Sequence, residues 1–206
     1  MKSILMVLVM AFIAIQARAQ KDFTGILKYH MTVEGDSIQR TDSMKLIVGK
    51  SKIKVVLYIP SQNDPGKATE QVFIDDLTKE TTTVIDYQLS GYTVSARKKE
   101  PLYTFSNTNQ YDAVNRKLCL RYETDRKTSL SADVVKASCL AGIDFLKPDI
   151  PFYYFLGVQP LIIDNRMVLD YTLTLRNGHK QKTVCYEVQA LEEVDVLFSL
   201  EGLKPL

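Results

Sequence analysis

From Phe23 onward the apolar positions recur mostly every second residue rather than every third or fourth, the pattern of half-buried β-strands. Phe23, Leu27, Tyr29, Met31 and Val33 share one face of a first strand. Thr24, Lys28, His30 and Thr32 share the other, with Ile26 as the exception. Glu34-Gly35-Asp36 reads as a turn, and Met44, Leu46 and Val48 mark a second strand. Next, Lys50, Lys52 and Lys54 alternate with Ser51, Ile53 and Val55, and Leu57 and Ile59 continue the apolar side. That spacing predicts a strand with a lysine row toward water, ended by Pro60. Asn63-Asp64-Pro65-Gly66 is a turn, because Asp before Pro is pushed extended and Gly accepts a positive φ.

Further strands are predicted over Gln71–Ile74, Thr81–Asp86 and Tyr92–Arg97, with Asp75-Asp76 turning between the first two. Leu118–Tyr122 and Lys127–Leu130 follow as short strands. Ser131–Gly142 fits a capped helix and a strand equally well. Pro148-Asp149-Ile150-Pro151 reads as rigid and extended, leading into the aromatic run Phe152–Leu156. Asn177-Gly178 between Arg166–Arg176 and Lys180–Gln189 is a strong hairpin signal, and Val194–Leu200 reads as a last strand. About ten strands in one antiparallel meander are expected, in a sheet that must close on itself or be covered.

The first 19 residues break this pattern. Lys2 precedes an unbroken apolar run from Ile4 to Ile15, followed by Ala17-Arg18-Ala19. This is the layout of a secretory signal peptide, and at 12 residues the run is well short of the roughly 20 that span a bilayer. Residues 1–19 are therefore expected to be removed, leaving 20–206 as a single β-rich domain with no transmembrane span, periplasmic or secreted. Loss of Lys2 and Arg18 leaves basic and acidic side chains in balance, which argues against a nucleic-acid partner. The densest basic cluster, Arg97-Lys98-Lys99, reads as a solvated strand end.

Candidate chemistry is sparse. The two histidines are His30, on a polar strand face, and His179, beside a turn. A Cys–His nucleophile pair would need Cys119 or Cys185 beside His30, without any local signature for it. The cysteine spacing matches neither a zinc site nor a CxxC motif; one disulfide with one thiol left over is open in an oxidising compartment, but the odd count and the strand-like settings favour Cys119, Cys139 and Cys185 as free and buried. Asp75-Asp76 and Glu192-Glu193 are adjacent acidic pairs that would point to opposite faces and are expected to be solvated. No catalytic residue, metal site or cofactor is expected. The aromatic segment could wall a ligand groove or fill the core, and aromatic residues dominate cores in general.

Two stretches resemble known families. The opening QKDFTGILKYHMTVEG, the lysine-rich strand pairs and VFIDDLTKETTTVID resemble LolA-like secreted or periplasmic proteins. Residues 147–164, KPDIPFYYFLGVQPLIID, resemble the region that names the GLPGLI family, with Gly157, Leu161 and Ile162 matching and Val158, Gln159 and Pro160 departing. The LolA resemblance implies a mainly β fold: a curved, unclosed antiparallel half-barrel with at most one or two short helices. It also implies a non-catalytic envelope protein that binds a lipid, acyl chain or lipoprotein on an apolar concave face. The residues expected to line that face are Leu57, Tyr92, Val94, Phe152, Tyr153 and Phe155. The competing expectation is an interaction module that docks another envelope protein through a sheet edge or the convex face.

Overall fold

In the computed structural model, which describes residues 22–34, 39–60, 68–97, 104–124 and 134–206, the period-two segments become strands of one sheet. The first six form an antiparallel meander: β1 (Gly25–Glu34), β2 (Gln39–Val48), β3 (Lys52–Pro60), β4 (Ala68–Asp76), β5 (Thr81–Asp86) and β6 (Gly91–Ala96). The next strands are β7 (Phe105–Val114), β8 (Lys117–Thr124), β9 (Val134–Leu146), β10 (Phe152–Phe155), β11 (Gln159–Ile163), β12 (Arg166–Leu175) and β13 (Lys180–Ala190). A 3-10 turn at Asp195–Phe198 and a two-residue strand, β14 (Lys204–Pro205), follow. The order across the sheet is β14-β6-β5-β4-β3-β2-β1-β13-β12-β9-β8-β7. Only β14 pairs in parallel, and the β10–β11 hairpin hangs from β12 off this path.

The protein is a mainly β, curved, unclosed half-barrel. Chain connectivity explains the curvature. β6 and β7 lie on opposite sides of the sheet, ten strand spacings apart, which would be about 48 Å if the sheet were flat. Yet only residues 97–104 join them, a reach of about 30 Å at full extension. The sheet must curl until its two margins face each other. Register shifts between Lys28 and Tyr29 in β1 and at three points along β12–β9 supply local bends.

The inner face carries the main buried core, with a second cluster around Tyr122, Tyr171 and Leu173 beside it. Leu27, Tyr29, Leu46, Ile53 and Val55 from the middle strands β1–β3 pack in the same cluster as Val114 and Cys119 from β7 and β8 at one margin. The outer face is also covered over β2–β5. Ile47, Val56, Val72, Ile74 and Ile85 bury beneath Val194 and Phe198 of the C-terminal segment. Double coverage explains the near-continuous apolar runs Leu46-Ile47-Val48 and Val72-Phe73-Ile74. It also explains Ile26, the exception on β1, which packs against this outer cluster.

Several expectations change. Val194–Leu200 is not a strand: it crosses the outer face as a strap containing the 3-10 turn. Val194 and Phe198 bury against the sheet's outer face, with Leu197 and Leu200 partly buried beside them, while Val196 stays exposed. The lysine row is not wholly in water, because Lys54 Nζ donates to Leu197 O of the strap at 2.9 Å, and burial lowers its pKa. The ambiguous Ser131–Gly142 is strand from Val134 onward. Pro148-Asp149 turns rather than extends, with the Ile150 N–H donating to Lys147 O at 2.9 Å. β7, rich in Ser, Asn and Gln, carried no apolar alternation to reveal it. The expected signal peptide, the turns centred on Gly35-Asp36 and Asn63–Gly66, and the strand at 127–130 lie outside the described residues.

Candidate functional site

The β10–β11 hairpin packs against the inner face of the half-barrel. Tyr153, Phe155, Leu161 and Ile162 are buried in the inner core. The Phe155 ring meets the Phe73 ring edge-on at 5.1 Å. The hairpin's base is held by Asn165, whose N–H donates to Pro151 O at 3.1 Å and whose Nδ2 donates to Pro148 O at 2.7 Å. Lys147 beside it is fully buried and pairs with Asp22 Oδ2 at 2.6 Å, tying the segment before β1 to the same base.

The hairpin tip is Leu156-Gly157, with φ of 52° and 75°. The left-handed region suits Gly but costs a leucine about 1–2 kcal/mol. The Leu156 side chain is 52% exposed yet lines two cavities, one on each side of the tip. The first, about 200 Å³, is almost wholly apolar: Met31, Phe155, Leu156, Val158, Tyr171 and Leu173, edged by Gln159, Gln181 and Thr183. The Tyr171 hydroxyl lies 3.5 Å from Val158 O across its rim.

The second cavity, about 140 Å³, is polar on one side. Asp75 there is buried, not solvated as expected. Tyr153 Oη donates to its Oδ2 and Thr82 Oγ1 donates to its Oδ1, each at 2.6 Å. Burial, with the Asp75 carboxylate adjoining, holds the Tyr153 phenol well above its ordinary pKa. Asp76 points to the other face and is also buried. It accepts from Thr78 Oγ1 and from the Thr78 and Lys79 N–H groups, capping the β4–β5 turn. Arg97 is likewise not a solvated strand end: its guanidinium sits 5.8 Å above the Tyr153 ring and its Nε is buried. Lys98 and Lys99 lie outside the described residues.

The sequence-predicted lining residues do not share one surface. Leu57, Tyr153 and Phe155 belong to the inner core. Tyr92 packs on the outer cluster under the strap. Val94, 56% exposed, shares Tyr92's side of β6, and Phe152 is 52% exposed at the start of β10. Among the six, Phe155 alone lines the two cavities. Met31, Leu156, Val158, Tyr171, Leu173, Asp75 and Arg97 escaped the sequence reading as site residues. The one local signal was a leucine before Gly157, at a turn position where Asn or Gly is the usual choice.

The three cysteines are free and buried. Burial pushes the Cys119 thiol up to about 11 and the Cys185 thiol up to about 12. Cys185 lies on the inner side, whereas His30 stacks on Tyr186, its outward-facing neighbour, at 3.9 Å. Among the described residues no cluster of His, Cys, Asp and Glu could hold a metal ion, and no helix is long and apolar enough to cross a membrane.

No family model matches the sequence, and no curated protein matches it. Likeness to solved structures is a likeness of fold. PNGF-II superimposes in two crystal forms, with TM-scores of 0.54 and 0.52 and 15% and 13% identity, over 88% of this chain. This chain spans only 31% and 30% of those PNGF-II chains. An uncharacterized conserved protein from Thermus thermophilus matches along nearly its whole length, covering 94% of this chain and 98% of its own, with a TM-score of 0.50 and 6% identity.

Proposed function

We propose that the protein is an exported, non-catalytic binding protein that holds a small hydrophobic ligand on the inner face of its half-barrel, beside the tip of the β10–β11 hairpin. The observation that carries this reading is the apolar cavity of about 200 Å³ bounded by Met31, Leu156, Val158, Tyr171 and Leu173. Export rests on the layout of residues 1–19. A binding role without covalent chemistry is supported by thiols that burial keeps protonated and by His30 lying on the opposite face from Cys185. Size narrows the ligand. Small-molecule sites run from about 300 to 1,000 Å³, and the hairpin leaves less than that on its apolar side. This space suits a single chain better than the two chains of a diacyl lipid.

The test is titration of a fluorescent fatty-acid probe into protein purified without detergent, with organic extraction and mass spectrometry of the same sample. Val158, at the cavity mouth, is 36% exposed, so Val158→Trp fills the site without loading the core. Saturable binding that weakens at least tenfold in Val158→Trp is expected. Equal binding by both proteins, or none by either, contradicts the reading.

A second reading is favoured by the β6 margin. β14 covers only Gly91 and Tyr92, leaving Thr93–Ala96 exposed and without a further strand partner among the described residues. An extended peptide could add there. Docking at that edge would leave probe binding unchanged.

A further inference from the structure

The two cavities meet at the wall formed by Phe155 and Leu156, and their chemistries are complementary. One is apolar. The other presents Arg97, Ser95, Thr82 and Asp75. Arg97 is the informative residue. Its guanidinium carbon lies 5.8 Å from the centre of the Tyr153 ring, and its side chain lines the polar cavity. Its buried Nε has no protein acceptor, and among the described residues no carboxylate forms an ion pair with it. Asp75 lines the same cavity, but the hydrogen bonds its oxygens accept come from the Tyr153 and Thr82 hydroxyls and not from Arg97. A buried donor without an acceptor is costly, and a planar guanidinium recognises a planar oxyanion best.

We propose, building on the hydrophobic site described above, that the ligand is a single-chain carboxylate amphiphile. Its chain occupies the apolar cavity, and its carboxylate crosses the Leu156 wall to Arg97 and the Ser95 hydroxyl. Volume supports one medium-length chain: together the two cavities reach only the lower end of the range of about 300–1,000 Å³. Charge supports a monoanion. The Asp75 carboxylate shares the polar cavity, so a dianionic phosphate headgroup meets more repulsion than a carboxylate.

The experiment is calorimetric titration of the purified protein with decanoate, decanol and decyl phosphate, for wild type, Arg97→Gln and Arg97→Lys. Wild type is expected to bind decanoate at least tenfold more tightly than decanol, and more tightly than decyl phosphate. Arg97→Gln should abolish the preference for decanoate while leaving decanol affinity intact, which also shows that the variant is folded. Arg97→Lys should retain part of the preference. Equal affinity for decanoate and decanol in wild type, or a preference that survives Arg97→Gln, overturns the headgroup assignment and leaves the hydrophobic site standing. Tighter binding of decyl phosphate overturns the choice of carboxylate. Failure of wild type to bind all three overturns both proposals.

Discussion

Leu156 breaks a local rule, and the break coincides with the cavities. A leucine at φ 52° is strained, and a glycine there would not be. Leu156→Gly relieves that strain, loses little burial because the side chain is half exposed, and adds some unfolded-state entropy. The expected result in urea denaturation is no change or a gain of about 1 kcal/mol. Probe affinity should fall several-fold, because the wall between the cavities is gone. A loss of stability with affinity intact would make Leu156 a packing residue only. At this scale the sequence was a poor guide. Tyr153 and Phe155 sit inside, as an aromatic run suggests, but Tyr92 and Val94 face the other way. Alternation along β6 shows that the two residues share a face without showing which face is inner. Arg97 and Asp75 read as solvent-facing because their partner, Tyr153, is distant in sequence.

Among the elements, the regular strands were the most legible, because alternation and turn chemistry agreed. β5, β6 and the β12–β13 hairpin around Asn177-Gly178 fall where period two and the turn residues place them. β7 was hidden by its polar sequence, and the covering segments by a different cause. The C-terminal strap and the β10–β11 hairpin are apolar because they cover the sheet, and coverage leaves no periodic mark of its own. The β4–β5 turn carries a test of its electrostatics. Desolvation alone would raise the pKa of Asp76, but the hydroxyl of Thr78 and the N–H groups of Lys79 and Thr78 outweigh it, and the net shift is downward from 3.8. A depressed carboxyl contributes stability that is complete above its unfolded value and is lost as pH falls through the lower folded value. Asp76→Asn should therefore cost about 0.5–1.5 kcal/mol at pH 7. That difference should shrink once the pH drops below 3.8. Urea denaturation of both proteins across this range checks it, and a difference independent of pH would contradict the assignment.

For the molecule as a whole, one sheet performs two tasks because its faces are covered by different segments. The strap seals the outer face over β2–β5, and the hairpin plugs the inner face while leaving space on both sides of its tip. The β-rich character was legible from the alternating segments, whereas the unclosed half-barrel was what the LolA resemblance implied. The sheet order was not legible, since β1 pairs with β13 and joins the two ends of the chain. That pairing places Met31 of β1 beside Thr183 of β13 at the rim of the apolar cavity. The short link between β6 and β7 then curls the sheet around the hairpin. Methyl NMR of the protein labelled at Met, Leu, Val and Ile, titrated with decanoate, tests the inner-face site most directly. Saturable one-to-one shifts at Met31, Leu156 and Val158, with the outer-face methyls of Val72 and Ile85 unmoved, are the expected result. Shifts centred on the exposed Val94 side of β6, or no saturable shifts at all, would contradict it.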